Sequence, residues 1–211
     1  MIVERHATTE CAYHTAGEVG FEAAMLLRCA GTGAGRGRAR RRHSPSLRPA
    51  DAYAEFSRPE AATRLVALLH STDRQAWVDS RRAGGRHQYE VHRVVAPGSD
   101  PAGLDVHWRR GHEMLCGFRD RRLTPEQWMH RDRLAVAGWR AALLAAGRAR
   151  LTPLGVRIAD PDTAVLLTQA AWLLGVTVQM LPRPGGHLLV VDEAEPRDLL
   201  FSLADVAATP A

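Results

Sequence analysis

HQYEVHRVVAPGSDPAGLDVHWRRGHEMLCGFR, residues 87–119, is the stretch whose periodicity decides how this chain is read. Apolar and polar side chains alternate in it with the period of a strand. Over 87–96, Tyr89, Val91 and Val95 share one face, while Gln88, Glu90 and His92 share the other. After a loop over Pro97–Gly103, Leu104, Val106 and Trp108 alternate with Asp105, His107 and Arg109. A turn near Gly111 leads to a third run, 113–119, with Met114, Cys116 and Phe118 on one face. Three consecutive strands are the expectation.

Upstream, Ser57 and Glu60 have the spacing of a capping box, with Pro59 at an early helical position. A helix is expected to run to about His70 with Leu65, Leu68 and Leu69 inward, followed by a short helix over 72–80 carrying Trp77. Downstream, Thr124-Pro-Glu-Gln127 is a second capping box, and its helix runs to about Ala146 with Gly147 as stop. Trp128, Ala135, Trp139, Leu143 and Ala146 form its apolar stripe, with Arg131, Arg133 and Arg140 mostly away from it. A strand over 155–159 precedes a helix capped by Asp160 and begun by Pro161. A hairpin joins 176–181 to 187–192, and a helix over 195–207 closes the chain. The order α-α-β-β-β-α-β-α-β-β-α describes an α/β or α+β domain, one mixed sheet with packed helices and no internal repeat.

Domain organisation follows from composition. Residues 1–53 include the low-complexity run GTGAGRGRARRR (31–42) and read as a disordered arginine-rich segment; residues 54–211 read as the folded domain. The chain has no lysine and no asparagine, and all 28 of its basic side chains are arginine. A coding sequence rich in G and C accounts for this, so arginine abundance alone is weak evidence of function. The missing ammonium excludes a Walker phosphate loop, a protein-kinase site and Schiff-base catalysis in their usual forms. Three widely spaced cysteines make neither a disulfide framework nor a CxxC pair, which suits a reducing compartment, and the cytoplasm is the expected location. The 20 uncharged residues of 163–182 are long enough to span a bilayer. Their polar residues and their switch to alternation predict a buried helix followed by a strand, and no membrane partner.

Charge is uneven: the net values are +4 over 1–50, −2 over 51–73, +7 over 74–150 and −4 over 151–211. Codon bias raises arginine everywhere and does not explain that contrast. Arg109, Arg110, Arg119, Arg121 and Arg122 flank the turn and the end of the third expected strand, and they are the candidate anion-binding residues. Arg36–Arg42 lacks the interleaved aromatics that would stack on bases. On the polar strand face, Glu90, His92 and His107 pair carboxylate with imidazole, the minimum for general acid–base work, and are the candidate catalytic residues. His107, His112 and Asp105 match no metal-ligand spacing, so no metal is assigned, and no cofactor is implied.

Over residues 57–193 the element order resembles that of acyl-CoA N-acyltransferases of the GNAT type. The resemblance implies a transferase that holds its pyrophosphate in an R/Q-x-x-G-x-G/A loop. The equivalent stretch here, Arg119–Pro125, contains no glycine. The first expectation is therefore a soluble binding or regulatory module with a basic surface for an anionic partner: nucleic acid, a phosphorylated ligand or an acidic protein. The second is a small transferase or hydrolase using the polar sheet face.

Overall fold

The computed structural model describes residues 3–30, 52–84, 88–117, 123–148 and 153–204. Helix α1 spans Val3–Ala30 and is followed by strand β1 (Ala52–Phe56), helix α2 (Pro59–His70), and strands β2 (Trp77–Ala83) and β3 (Tyr89–Val95). A 3-10 turn over Pro101–Leu104 opens helix α3 (Asp105–Cys116), and helix α4 (Pro125–Ala146) comes next. The second half continues with β4 (Gly147–Arg148), β5 (Leu154–Ile158), α5 (Pro161–Leu173), β6 (Gln179–Arg183), β7 (Gly186–Val191) and α6 (Ala194–Leu203). The class is α+β. The expected single sheet resolves into two antiparallel sheets, ordered β1-β3-β2 and β4-β5-β7-β6.

Those orders expose a repeat that the sequence hides. Each half runs long helix, strand, helix, two strands, helix, the second adding the two-residue β4 at its sheet edge, and β1, β3, β2 stand where β5, β7, β6 stand. One helix covers one face of each sheet, α2 in the first half and α5 in the second, and the long helices α1 and α4 pack along each other. The packing is readable in α2, whose buried Ala61, Ala62, Leu65, Leu68 and Leu69 recur at helical spacing. In α4–α5, the buried Trp139 indole donates to the Leu167 carbonyl at 3.0 Å.

Three expectations change. Ordered structure does not start near residue 54: α1 places Phe21, Met25 and Leu26, all fully buried, in the common core. The Arg36–Arg42 run lies outside the described residues. Residues 104–116 are not two strands. Six residues of alternation fit a strand, but Leu104, Trp108, Gly111 and Leu115 are the buried set, at helical spacing, and Val106 is exposed. With β3 followed by α3 and α4, the element order departs from that of the acyltransferases. Residues 77–80 are strand, because Ser71 and Thr72 turn their hydroxyls back onto the Leu68 and Leu69 carbonyls and end α2.

Other local signals hold. Thr124 and Gln127 exchange hydrogen bonds of 3.0 and 3.3 Å as a capping box, and Asp160 accepts from the Thr163 amide at 3.2 Å. Ser57 makes no such box, since Arg58 is the N-cap of α2 without a side-chain bond, although Pro59 does open the helix. Among the described residues, no helix is long and apolar enough to cross a membrane. The uncharged stretch is α5 followed by β6.

The α1–α3 crossing depends on two glycines. A Cβ on Gly20 would meet the His107 ring at 2.5 Å, and one on Gly111 would strike the Phe21 ring. Phe21 is fully buried and has nowhere to move. Gly111→Ala is expected to lower stability by about 2 kcal/mol, overpacking outweighing the helix propensity gained. Gly17→Ala, where nothing lies within 4 Å, is expected to be neutral or stabilising. Denaturant midpoints of the two variants check both signs.

Candidate nucleic-acid interface

Each sheet is covered on one face and open on the other. In an antiparallel ladder, directly opposed residues share a face. In the first sheet, Phe56, His92 and Ser80 stand opposite one another, and Phe56, His92 and Val94 are buried on the side that α2 covers. The other face presents the opposed pairs Trp77–Val95, Asp79–Arg93, Arg81–Val91 and Ala83–Tyr89, with Glu55 beside Arg93. Glu55 Oε1 accepts from Arg93 Nη2 at 2.6 Å and from Arg81 Nη2 at 2.9 Å. Trp77 and Tyr89 on this face are 49% and 59% exposed.

In the second sheet, Leu154, Val156, Ile158, Leu189 and Val191 are buried on the covered side. The open side presents Arg157 opposite Leu188, Leu181 opposite Leu188, Gln179 opposite Val190, and Arg183 at the hairpin end. Arg157 donates to the Pro184 carbonyl, and Gln179 donates to Asp192 at 2.7 Å. Arg157 and Arg183 are exposed, and neither is among the ion pairs found between described residues.

The residues expected to form a catalytic face are spread over two elements. Glu90 is exposed on β3. His92 is buried on the covered side, its Nδ1 2.8 Å from Ser80 Oγ. His107 is on α3 against Gly20, where burial, then Arg110 and Arg74, lowers its pKa. Their shared face depended on reading 104–109 as a strand. Arg109 and Arg110 are exposed on α3, which packs on α1, α4 and α5; Arg119, Arg121 and Arg122 lie outside the described residues. Cys116 is half-buried at the end of α3.

Many arginines of the basic middle are engaged internally. Arg131, expected to point away from the core, is buried and donates to the Leu115 carbonyl at 3.1 Å. Arg74 reaches Tyr53 Oη at 3.2 Å, and Arg133 pairs with Glu18 at 3.4 Å. A groove of about 580 Å³ between α2 and α4 is lined by Arg64 and Arg140, and both are pinned to the buried Glu22.

Arg28, in the last turn of α1, bridges Asp105 of α3 at 3.3 Å and Asp160 of α5 at 3.1 Å, with its guanidinium 3.8 Å from the centroid of the Trp108 ring. Burial pushes the Asp160 carboxyl up, but hydrogen bonds from Thr163 and the Arg28 charge outweigh it and hold its pKa below the ordinary carboxylate value. A depressed folded pKa gives stability that is present above the unfolded pKa and is lost as pH falls through the folded value. The stability difference between wild type and Asp160→Ala is therefore expected to be level above about pH 5 and to shrink progressively below pH 4. Denaturation at a series of pH values checks this.

The open-face residues that sequence reasoning missed are Trp77, Arg81, Arg93, Arg157 and Arg183. The alternation Trp77-Asp79-Arg81-Ala83 was the available signal for β2, and it was masked by reading 72–80 as helix.

No protein-family model matches the chain, and no curated protein does. Solved structures do. The crystal structure of the N-terminal LAGLIDADG domain of DUF199/WhiA superposes with a TM-score of 0.58 at 10% identity, over 92% of this chain and 84% of that one. Full-length DUF199/WhiA from Thermatoga maritima gives 0.55 at 12% identity, over 90% of this chain and 56% of that longer protein. I-DmoI in complex with DNA and Mn gives 0.52 at 11% identity, over 90% of this chain and 99% of that one. At such identities the likeness concerns the fold alone: the α+β architecture of this chain is similar to that of the WhiA LAGLIDADG domain and of I-DmoI.

Proposed function

We propose that this protein is a DNA-binding module that contacts DNA through the open faces of its two sheets. The observation that carries the proposal is the pair of uncovered antiparallel faces, the second of which bears Arg157 and Arg183, both exposed and outside the ion pairs found between described residues. The similarly folded I-DmoI, described in complex with DNA, supports it. Arginine's flat, permanently charged fork suits phosphate oxygens and the acceptor edge of guanine. A sheet face of this size contacts a limited run of phosphates, so affinity is governed by salt.

The I-DmoI complex contains Mn. Among the described residues no group of three or more His, Cys, Asp or Glu stands together as a metal site. The proposal concerns binding, and no metal-assisted step is derived. Fluorescence anisotropy of a labelled duplex, titrated at several salt concentrations, tests it. Binding that weakens linearly on a log–log salt plot is the expected result, and no binding at low salt would overturn it.

A further inference from the structure

The two open faces are equivalent in topology but not in chemistry. In the first sheet both open-face arginines already share one carboxylate: Glu55 takes Arg93 at 2.6 Å and Arg81 at 2.9 Å. Asp79 sits opposite Arg93 on the same face. Two arginines against two carboxylates leave that face with no spare charge for a phosphate backbone. In the second sheet, Arg157 and Arg183 have no carboxylate among the described residues. The first sheet instead carries exposed aromatic rings, Trp77 (49% exposed) and Tyr89 (59% exposed), where the open face of the second has, among the described residues, only aliphatic Leu181, Leu188 and Val190.

These rings share one face. Trp77 stands at the level of Val95, and Tyr89 is six residues along β3 from Val95, roughly 20 Å at ~3.4 Å per residue. Arg81 and Val91 oppose one another between them. Paired bases in a duplex offer only their edges to a protein, so a ring cannot stack on them. Unpaired bases offer their π-faces, and stacking on an aromatic side chain is tolerant of sequence.

We infer that the first sheet is a platform for unpaired bases, stacked on Trp77 and Tyr89, while Arg157 and Arg183 of the second sheet hold the backbone of the adjoining paired DNA. This rests on the DNA-binding reading above and adds the state of the strand that the first sheet takes.

The test compares the full chain on two probes, a fully paired duplex and the same duplex with a central unpaired bubble, each measured by anisotropy at fixed salt. The bubble is expected to bind about tenfold more tightly, in the range that base stacking on an aromatic supplies. Trp77→Ala and Tyr89→Ala are each expected to remove most of that preference while changing affinity for the paired duplex by less than about twofold. Trp77→Phe, which keeps a ring, is expected to retain it. Tyr89, the more exposed of the two and at the end of its strand, carries the test if Trp77→Ala does not fold. Equal binding of the two probes, or a preference that survives both alanine variants, overturns the inference and leaves duplex binding standing. Failure of both probes to bind overturns the DNA-binding reading itself.

Discussion

Replacing Glu22 by alanine is expected to lower the stability of the fold by about 3 kcal/mol, near the lower end of what breaking a buried ion pair costs. Glu22 is only 3% exposed in the middle of α1. Arg64 of α2 grips it with two bonds, Nε to Oε1 at 2.7 Å and Nη2 to Oε2 at 2.8 Å. Arg140 of α4 adds Nη1 to Oε2 at 3.2 Å, and its Nε holds the Ala204 carbonyl just past α6 at 2.7 Å. One carboxylate thus fixes α1 against α2 and α4, and through Arg140 it steadies the end of α6. The two arginines are 37% and 25% exposed, so they can turn toward water when Glu22 is lost, which is why the lower end applies. The reverse cut is harsher. Arg64→Met with Arg140→Met strands a charge with no route to solvent and is expected to cost about 5 kcal/mol. Guanidinium denaturation of the three proteins checks the order: wild type most stable, Glu22→Ala next, the double variant last. A Glu22→Ala midpoint equal to that of wild type would show that this contact does not organise the helices.

Glu22 also shows where the sequence was hard to read. Together with Arg28 it interrupts the apolar stretch Phe21–Ala30, which on sequence alone looks like weak helix in a polar segment. Both charges are paired, Glu22 with Arg64 and Arg140, Arg28 with Asp105, Asp160 and the face of Trp108. Every partner lies at least 42 residues away in sequence. No local signal predicts such partners, so the half of α1 that enters the core could not be recognised. Elements whose instructions are local were legible. The Thr124–Gln127 capping box and the Asp160 cap form as read, and strands form within 87–96, 155–159 and 187–192, although β3 turns its His92 side inward and its Tyr89 side outward. The failures at 72–80 and 104–116 are short stretches in which two periods fit equally and tertiary burial chose between them.

The charge contrast between the middle and the end of the chain has a similar explanation. Much of the +7 over residues 74–150 is used inside the molecule, by Arg74 on Tyr53, Arg93 on Glu55, Arg131 on Leu115 and Arg140 on Glu22. A segment total cannot show which arginines remain available. Two that do, Arg157 and Arg183, sit in the segment whose net charge is −4, where an average hides them.

Those two residues decide the central claim. Each arginine that neutralises a DNA phosphate steepens the fall of log affinity with log salt by about 0.9. The measurement is the salt dependence of duplex binding for wild type, for Arg157→Ala with Arg183→Ala, and for Arg109→Ala with Arg110→Ala. The open-face account predicts salt-dependent binding by wild type, a slope shallower by about 2 when the sheet arginines are removed, and an unchanged slope when the α3 arginines are removed. A chain that binds no duplex at low salt, or one whose slope follows Arg109 and Arg110 while ignoring Arg157 and Arg183, would contradict it.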